Sequence, residues 1–193
     1  MNNNMQISSA LLFFLAFMLL MLPLQWCFAM ILAALWHELC HYWAVKGCGG
    51  QINQIRLTPV GAKMESTPLS PAKNLVCALA GPFGGLLLLL LARWMPRTAL
   101  CAGMQSLYNL LPISGLDGGT ALRCAAAMLF PKKQAETICR WTELIIVAAF
   151  LLLGIYGSLI KKLGMLPIIV AAFLVIRTQN GKFPCKHHLK AVQ

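Results

Sequence analysis

Negative charge is what this chain has least of. Five of its 193 residues are acidic, Asp117 is the only aspartate, and sixteen Lys and Arg stand against them. Charged residues make up 11% and hydrophobic residues 59%, too few charges to cover an ordinary soluble domain of this length. Paired cysteines are missing as well. None of the eight cysteines falls in a Cys-x-x-Cys, so neither a zinc ribbon nor a redox pair is indicated. Cys27, Cys40, Cys77, Cys101, Cys124 and Cys139 sit singly in or beside apolar runs, where a free cysteine packs as a small hydrophobe. Cys185, His187 and His188 could bind metal adventitiously, but they lie in a polar tail far from other ligands. The net charge of +11 is spread between apolar runs, which fits cytoplasmic retention and anionic lipid headgroups and not nucleic acid.

What the chain does have is apolar runs near membrane-spanning length. The first, Ile7 to Leu22, has no Lys or Arg before it and no small-residue cleavage site, and it ends in Pro23-Leu24-Gln25-Trp26. That pattern reads as an uncleaved span with an interfacial tryptophan and not as a signal peptide. The second run is Trp26 to Val45, the third Asn74 to Ala92, the fifth Glu143 to Ile160 and the sixth Leu163 to Ile176. The fourth starts near Thr98 and contains Asn109-Leu110-Leu111-Pro112-Ile113-Ser114-Gly115-Leu116-Asp117-Gly118-Gly119, whose proline and glycines predict a broken helix. Between the second and third runs, Gln51 to Glu65 has the loose alternation of short strands, which a simple connector would also permit. Arg123 to Thr142 reads as a basic connector. No internal repeat is visible. The expectation is an all-α polytopic membrane protein of about six transmembrane helices, with one membrane domain over residues 1–176 and a short basic cytoplasmic tail over 177–193.

One motif stands out within the second run. Trp36-His37-Glu38-Leu39-Cys40-His41 reads His-Glu-x-x-His. On a helix, residues four apart share a face, so His37 and His41 can hold one metal ion together. Glu38 is turned about 100° from His37, within reach of a metal-bound water without being a ligand. This is the zinc-hydrolase arrangement, with Zn²⁺ as cofactor and the carboxylate as general base. A helix carrying two hydrogen-bonded histidines would explain the same residues, but three ionisable groups in an apolar span are costly without a function.

Charge asymmetry supplies a second line of argument. With the N-terminus in the cytoplasm, twelve Lys and Arg fall on the cytoplasmic side and four on the other, so both termini are expected inside. His41 and His37 then precede Lys46 by five and nine residues, roughly 7 and 13 Å below the cytoplasmic edge. Asp117 precedes Arg123 by six residues, roughly 9 Å if helical. A catalytic zinc takes three protein ligands and keeps one position open. Glu65 and Glu136 fall in connectors and Glu143 at a span edge, which leaves Asp117 as the third ligand.

His37-Glu38-Leu39-Cys40-His41 together with Asn109-Leu110-Leu111-Pro112 and Leu116-Asp117-Gly118-Gly119 resembles the site-2 protease family of intramembrane zinc metalloproteases. More narrowly it is similar to the stage IV sporulation FB-type branch, whose Arg-Leu-x-Pro-x-Gly stretch is matched by Arg56-Leu57-Thr58-Pro59-Val60-Gly61. The resemblance implies six spans, zinc on His37, His41 and Asp117, Glu38 as catalytic base, and Asn109, Pro112 and Gly61 on the substrate side. A helix cap or interhelical hydrogen bond is the alternative reading of Asn109. The Gln51–Glu65 stretch would be a small membrane-associated β-hairpin whose edge receives an extended substrate. The partners implied are a membrane-associated protein substrate, the lipid bilayer and regulatory membrane proteins. The substrate class is the precursor of a transcription regulator, such as a sporulation pro-sigma factor. Three positions depart from the family pattern: Cys40 stands where relatives usually have glycine, Gly115 where a second proline is common, and Gly85 where a polar residue is often found. The CBS-type nucleotide-sensing domain of the sporulation branch has no counterpart in these residues. The competing class is a zinc-binding membrane transporter or a catalytically inactive adaptor, which needs ligands but no base beside them.

Overall fold

The computed structural model describes residues 4–7, 9–58 and 61–159. The sixth apolar run, the basic tail and its Cys185, His187 and His188 lie outside the described residues. The chain forms two compact units, Met1–Leu110 and Leu111–Gln193.

The first unit begins with strand β1 (Asn4–Ile7) and helix α1 (Ser9–Met21), followed by the long helix α2 (Leu24–Gly47). Pro23 sets the start of α2, and Gly49 at φ +82° lies just past its end, where only glycine is comfortable. Strands β2 (Ile52–Thr58) and β3 (Gly61–Ser66) form an antiparallel hairpin. Helix α3 (Pro71–Leu87) opens with Pro71 after Ser70, whose hydroxyl accepts the Lys73 N–H. Its leucine-rich end tightens into a 3₁₀ turn over Leu88–Leu91, and α4 (Pro96–Asn109) again opens on proline.

Helices α2, α3 and α4 pack on one another, and their contact faces are made of small residues. Cys27, Ala29, Ala33, Cys77, Ala78, Gly81, Gly84, Gly85, Ala99 and Ala102 are all buried. Large apolar side chains face outward instead, among them Phe13, Leu20 and Leu90, each at least three-quarters exposed. In water this inside-out distribution would be an aggregation hazard; in lipid it is how helices associate, because small residues permit close backbone approach.

The second unit holds α5 (Asp117–Leu129) and α6 (Lys132–Leu159), which pack together around Leu122, Ala126, Ala135 and Cys139. Two stretches among the described residues are long and apolar enough to cross a membrane, Pro71–Leu91 and Lys132–Leu159. The protein is a mostly helical membrane protein.

Several sequence expectations shift against these elements. The hairpin between the second and third apolar runs is present, but it belongs to a three-stranded sheet of order β1-β2-β3. β1 pairs parallel to β2, with Asn4 opposite Gln54 and Ile7 opposite Leu57, so Ile7 is sheet and not the start of the first span. At 13 residues α1 is roughly 20 Å long, shorter than a bilayer core. The break in the fourth run is real: α4 stops at Asn109 and α5 starts at Asp117. The supposed basic connector from Arg123 to Thr142 is almost wholly helical, with only Phe130 and Pro131 between α5 and α6. Its charges had hidden the helix, because an apolar run marks only the part of a helix that sits in lipid.

Candidate metal centre

Ala29, Ala33 and His37 follow one another at four-residue spacing down α2 and are all buried. Small residues above let α3 and α4 come close, and His41, half-buried, continues the row one turn below. Gly81 on α3 faces His41 so closely that a Cβ there would collide with the imidazole ring. Gly84, one turn further along α3, lies in the same way against the Cys40 thiol. The Trp36 indole N–H donates to the Gly84 carbonyl at 2.9 Å, tying α2 to α3 at the level of the motif.

The imidazoles are oriented by backbone and amide groups. His41 Nδ1 lies 2.7 Å from the Cys77 carbonyl oxygen. A carbonyl only accepts, so His41 carries its proton on Nδ1 and turns a lone pair out at Nε2. That Nε2 is 3.1 Å from Nε2 of His37. The Asn109 amide nitrogen, at the last residue of α4, lies 3.3 Å from the same His37 Nε2, and an amide NH₂ only donates. The two Nε2 atoms lie together, and where both are unprotonated their lone pairs face one point. Two lone pairs this close repel unless a cation lies between them. Two imidazole nitrogens on one tetrahedral zinc are about 3.3 Å apart, so the donor pair fits that ion. The rings meet edge to face at 82°.

Glu38 follows His37 on α2 and is half-buried. In the second unit Asp117 is the first residue of α5, also half-buried, where the helix N-terminus favours a carboxylate. The approach to it is tightly built. Pro112 and Ile113 lead to Gly115 at φ +87°, and Gly119 packs directly on the Ile113 carbonyl, leaving no room for a methyl group. Gly61 opens β3 opposite Thr58. Of the residues singled out in the sequence, the first unit brings His37, His41 and Asn109 together. Asp117 and Pro112 belong to the second unit, and Gly61 to the sheet.

Some contributors escaped the sequence. The Cys77 carbonyl is a backbone atom and leaves no side-chain signature. Gly81 and Gly84 read only as generic packing glycines, and Trp36 as the residue before the motif. Glu143, the first residue of the fifth apolar run, lies within the longer α6 and accepts two hydrogen bonds from Ser114, from its N–H at 2.9 Å and its O–H at 2.8 Å.

No protein-family model and no curated protein matches the chain. Among solved structures, the chain is similar to the Site-2 Protease from Methanocaldococcus jannaschii, with a TM-score of 0.64 at 20% sequence identity over 94% of this chain and 91% of that one. An identity this low carries the fold and leaves the chemistry to the residues. The chain has the fold of a site-2 protease.

Proposed function

We propose that this protein is an intramembrane zinc metalloprotease, hydrolysing a peptide bond in or near the transmembrane segment of a membrane-associated precursor. The observation that carries this reading is the paired imidazole nitrogens, 3.1 Å apart on α2 with Glu38 beside them, in a chain with a site-2 protease fold. His37, His41 and Asp117 would hold the ion, a ligand set of two nitrogens and one carboxylate that suits catalytic zinc. When bound, zinc supplies Lewis-acid polarisation of the scissile carbonyl and makes a water acidic enough to attack near neutral pH.

The chain's own groups do the rest. Glu38 takes a proton from the attacking water and returns it to the leaving amine nitrogen. The Cys77 carbonyl keeps the His41 proton on Nδ1, so that Nε2 stays a ligand. Asn109, on the substrate side, has an amide N–H to offer the substrate backbone. A helical substrate hides its carbonyls in its own hydrogen bonds and must unwind before one can react. Among the described residues β2 is paired on both edges, so the sheet's outer edges are β1 and β3, and β3 is the hairpin edge that would hold an unwound segment extended. The proposal includes both termini and the site at the cytoplasmic face, from the charge asymmetry. It includes also a transcription-regulator precursor as substrate, with a sporulation sigma factor as the specific instance.

The test is Glu38→Gln in the full chain, reconstituted with a candidate precursor. Cleavage should fall by about 10²–10⁴ while bound zinc is retained. Unchanged processing in that variant, or processing that a chelator leaves intact, overturns the protease reading. A transporter or an adaptor would need the ligands and be indifferent to Glu38.

A further inference from the structure

Glu143 has no place in the chemistry above, yet it is a half-buried ionisable side chain where the apolar part of α6 begins. Such a group is costly there unless it has a specific partner. Among the described residues its partner is Ser114. Oε1 accepts the Ser114 backbone N–H at 2.9 Å and Oε2 accepts the Ser114 hydroxyl at 2.8 Å. The same hydroxyl oxygen accepts from the Arg123 guanidinium at 3.4 Å, and Arg123 donates also to the Thr120 hydroxyl at 3.3 Å. One proton on Ser114 Oγ satisfies the whole chain of bonds: arginine donates to serine, and serine donates to glutamate. A cation and an anion are thus bridged through a buried hydroxyl, which is 8% exposed at the residue level.

Ser114 is three residues before Asp117, and the segment between them has little freedom. The Leu116 N–H donates to the Ile113 carbonyl at 3.0 Å. The Leu116 carbonyl accepts both the Thr120 N–H and the Thr120 hydroxyl, at 3.0 and 3.2 Å. Gly119 closes on Ile113 from the first turn of α5. The loop before Asp117 is therefore anchored to α5 at its far end and to α6 at Ser114. Without Glu143 the second anchor is gone, and the buried Ser114 N–H loses its acceptor.

We infer that Glu143 is a positioning residue for the metal ligand Asp117, acting through Ser114, with Arg123 holding the serine hydroxyl in the orientation that donates to the carboxylate. The inference rests on the proposed zinc site. Outer partners of metal ligands fix ligand direction, and their removal typically lowers metal affinity about 10–100-fold.

The experiment measures zinc affinity of the full chain in detergent by chelator competition, cobalt absorption as a report of ligand geometry, and melting of the metal-free protein. Glu143→Ala should weaken zinc at least tenfold and alter the cobalt spectrum, while metal-free melting moves little. Glu143→Gln keeps one acceptor oxygen and should recover part of the loss. Ser114→Ala keeps the backbone bond to Oε1 and should fall between Glu143→Gln and the parent; these two variants carry the test if Glu143→Ala does not fold. Parent affinity and an unchanged cobalt spectrum in the glutamate variants overturn the inference. So does an affinity loss matched by an equal loss of metal-free stability, because that marks a structural residue. His41→Ala separates the two claims. If it loses zinc while Glu143→Ala does not, the site stands and the positioning role fails; if the parent binds no zinc, both fail.

Discussion

Gly81 in the first unit and Gly119 in the second solve the same steric problem against different neighbours. Each lies where a Cβ would overlap a neighbour. At Gly81 the obstacle is the His41 imidazole, a side chain that can swing aside. At Gly119 it is the carbonyl of Ile113, a backbone group held by its own chain. An added methyl in the first unit thus disturbs a candidate metal ligand, and in the second unit it disturbs the course of the chain. Close packing bears on the candidate metal site in one region and on loop geometry in the other.

The strongest test of that contrast starts with the imidazole itself. His41→Ala removes both a proposed ligand and its anchor on Cys77, and bound zinc measured by metal analysis should drop to background while the helices persist by circular dichroism. Retained zinc would mean that the first unit's packing has nothing to do with a metal. Next in size is Gly119→Ala, expected to destabilise the protein by about 3 kcal/mol in thermal or denaturant unfolding, because backbone cannot yield as a side chain does. If it melts like the parent, the Ile113 carbonyl is free to move and the contrast collapses. Gly81→Ala should show the opposite signature, with zinc affinity down about tenfold and unfolding shifted by less than in Gly119→Ala. The mildest is Trp36→Phe, which keeps the aromatic bulk and removes the bond to the Gly84 carbonyl, for about 1 kcal/mol in unfolding and little change in zinc.

How much of this could be read from the sequence divides along the range of the interactions. His37, Glu38 and His41 are legible because helix periodicity turns their spacing into a shared face. The break between Asn109 and Asp117 is legible because proline and glycine act on the local backbone. The hairpin was within reach for the same reason. β1 was not: four residues gain strand character only from partners some fifty positions away, Asn4 opposite Gln54. The bond between Glu143 and Ser114 spans 29 residues and has no pattern behind it. The Cys77 carbonyl that orients His41 has no residue identity at all. What the sequence hides is the tertiary acceptor, and metal sites depend on such acceptors as much as on their ligands.

The parallel pairing of β1 with β2 also carries a parity constraint. Neighbouring strands lie about 4.8 Å apart, so residues 4–7 and 54–57 sit at one level, whatever that level is. The chain between them, α1 and α2, must therefore return to the side it left. The number of bilayer crossings from Ile7 to Gln54 is even, and a label placed ahead of β1 reports the sidedness of the hairpin as faithfully as one placed in it.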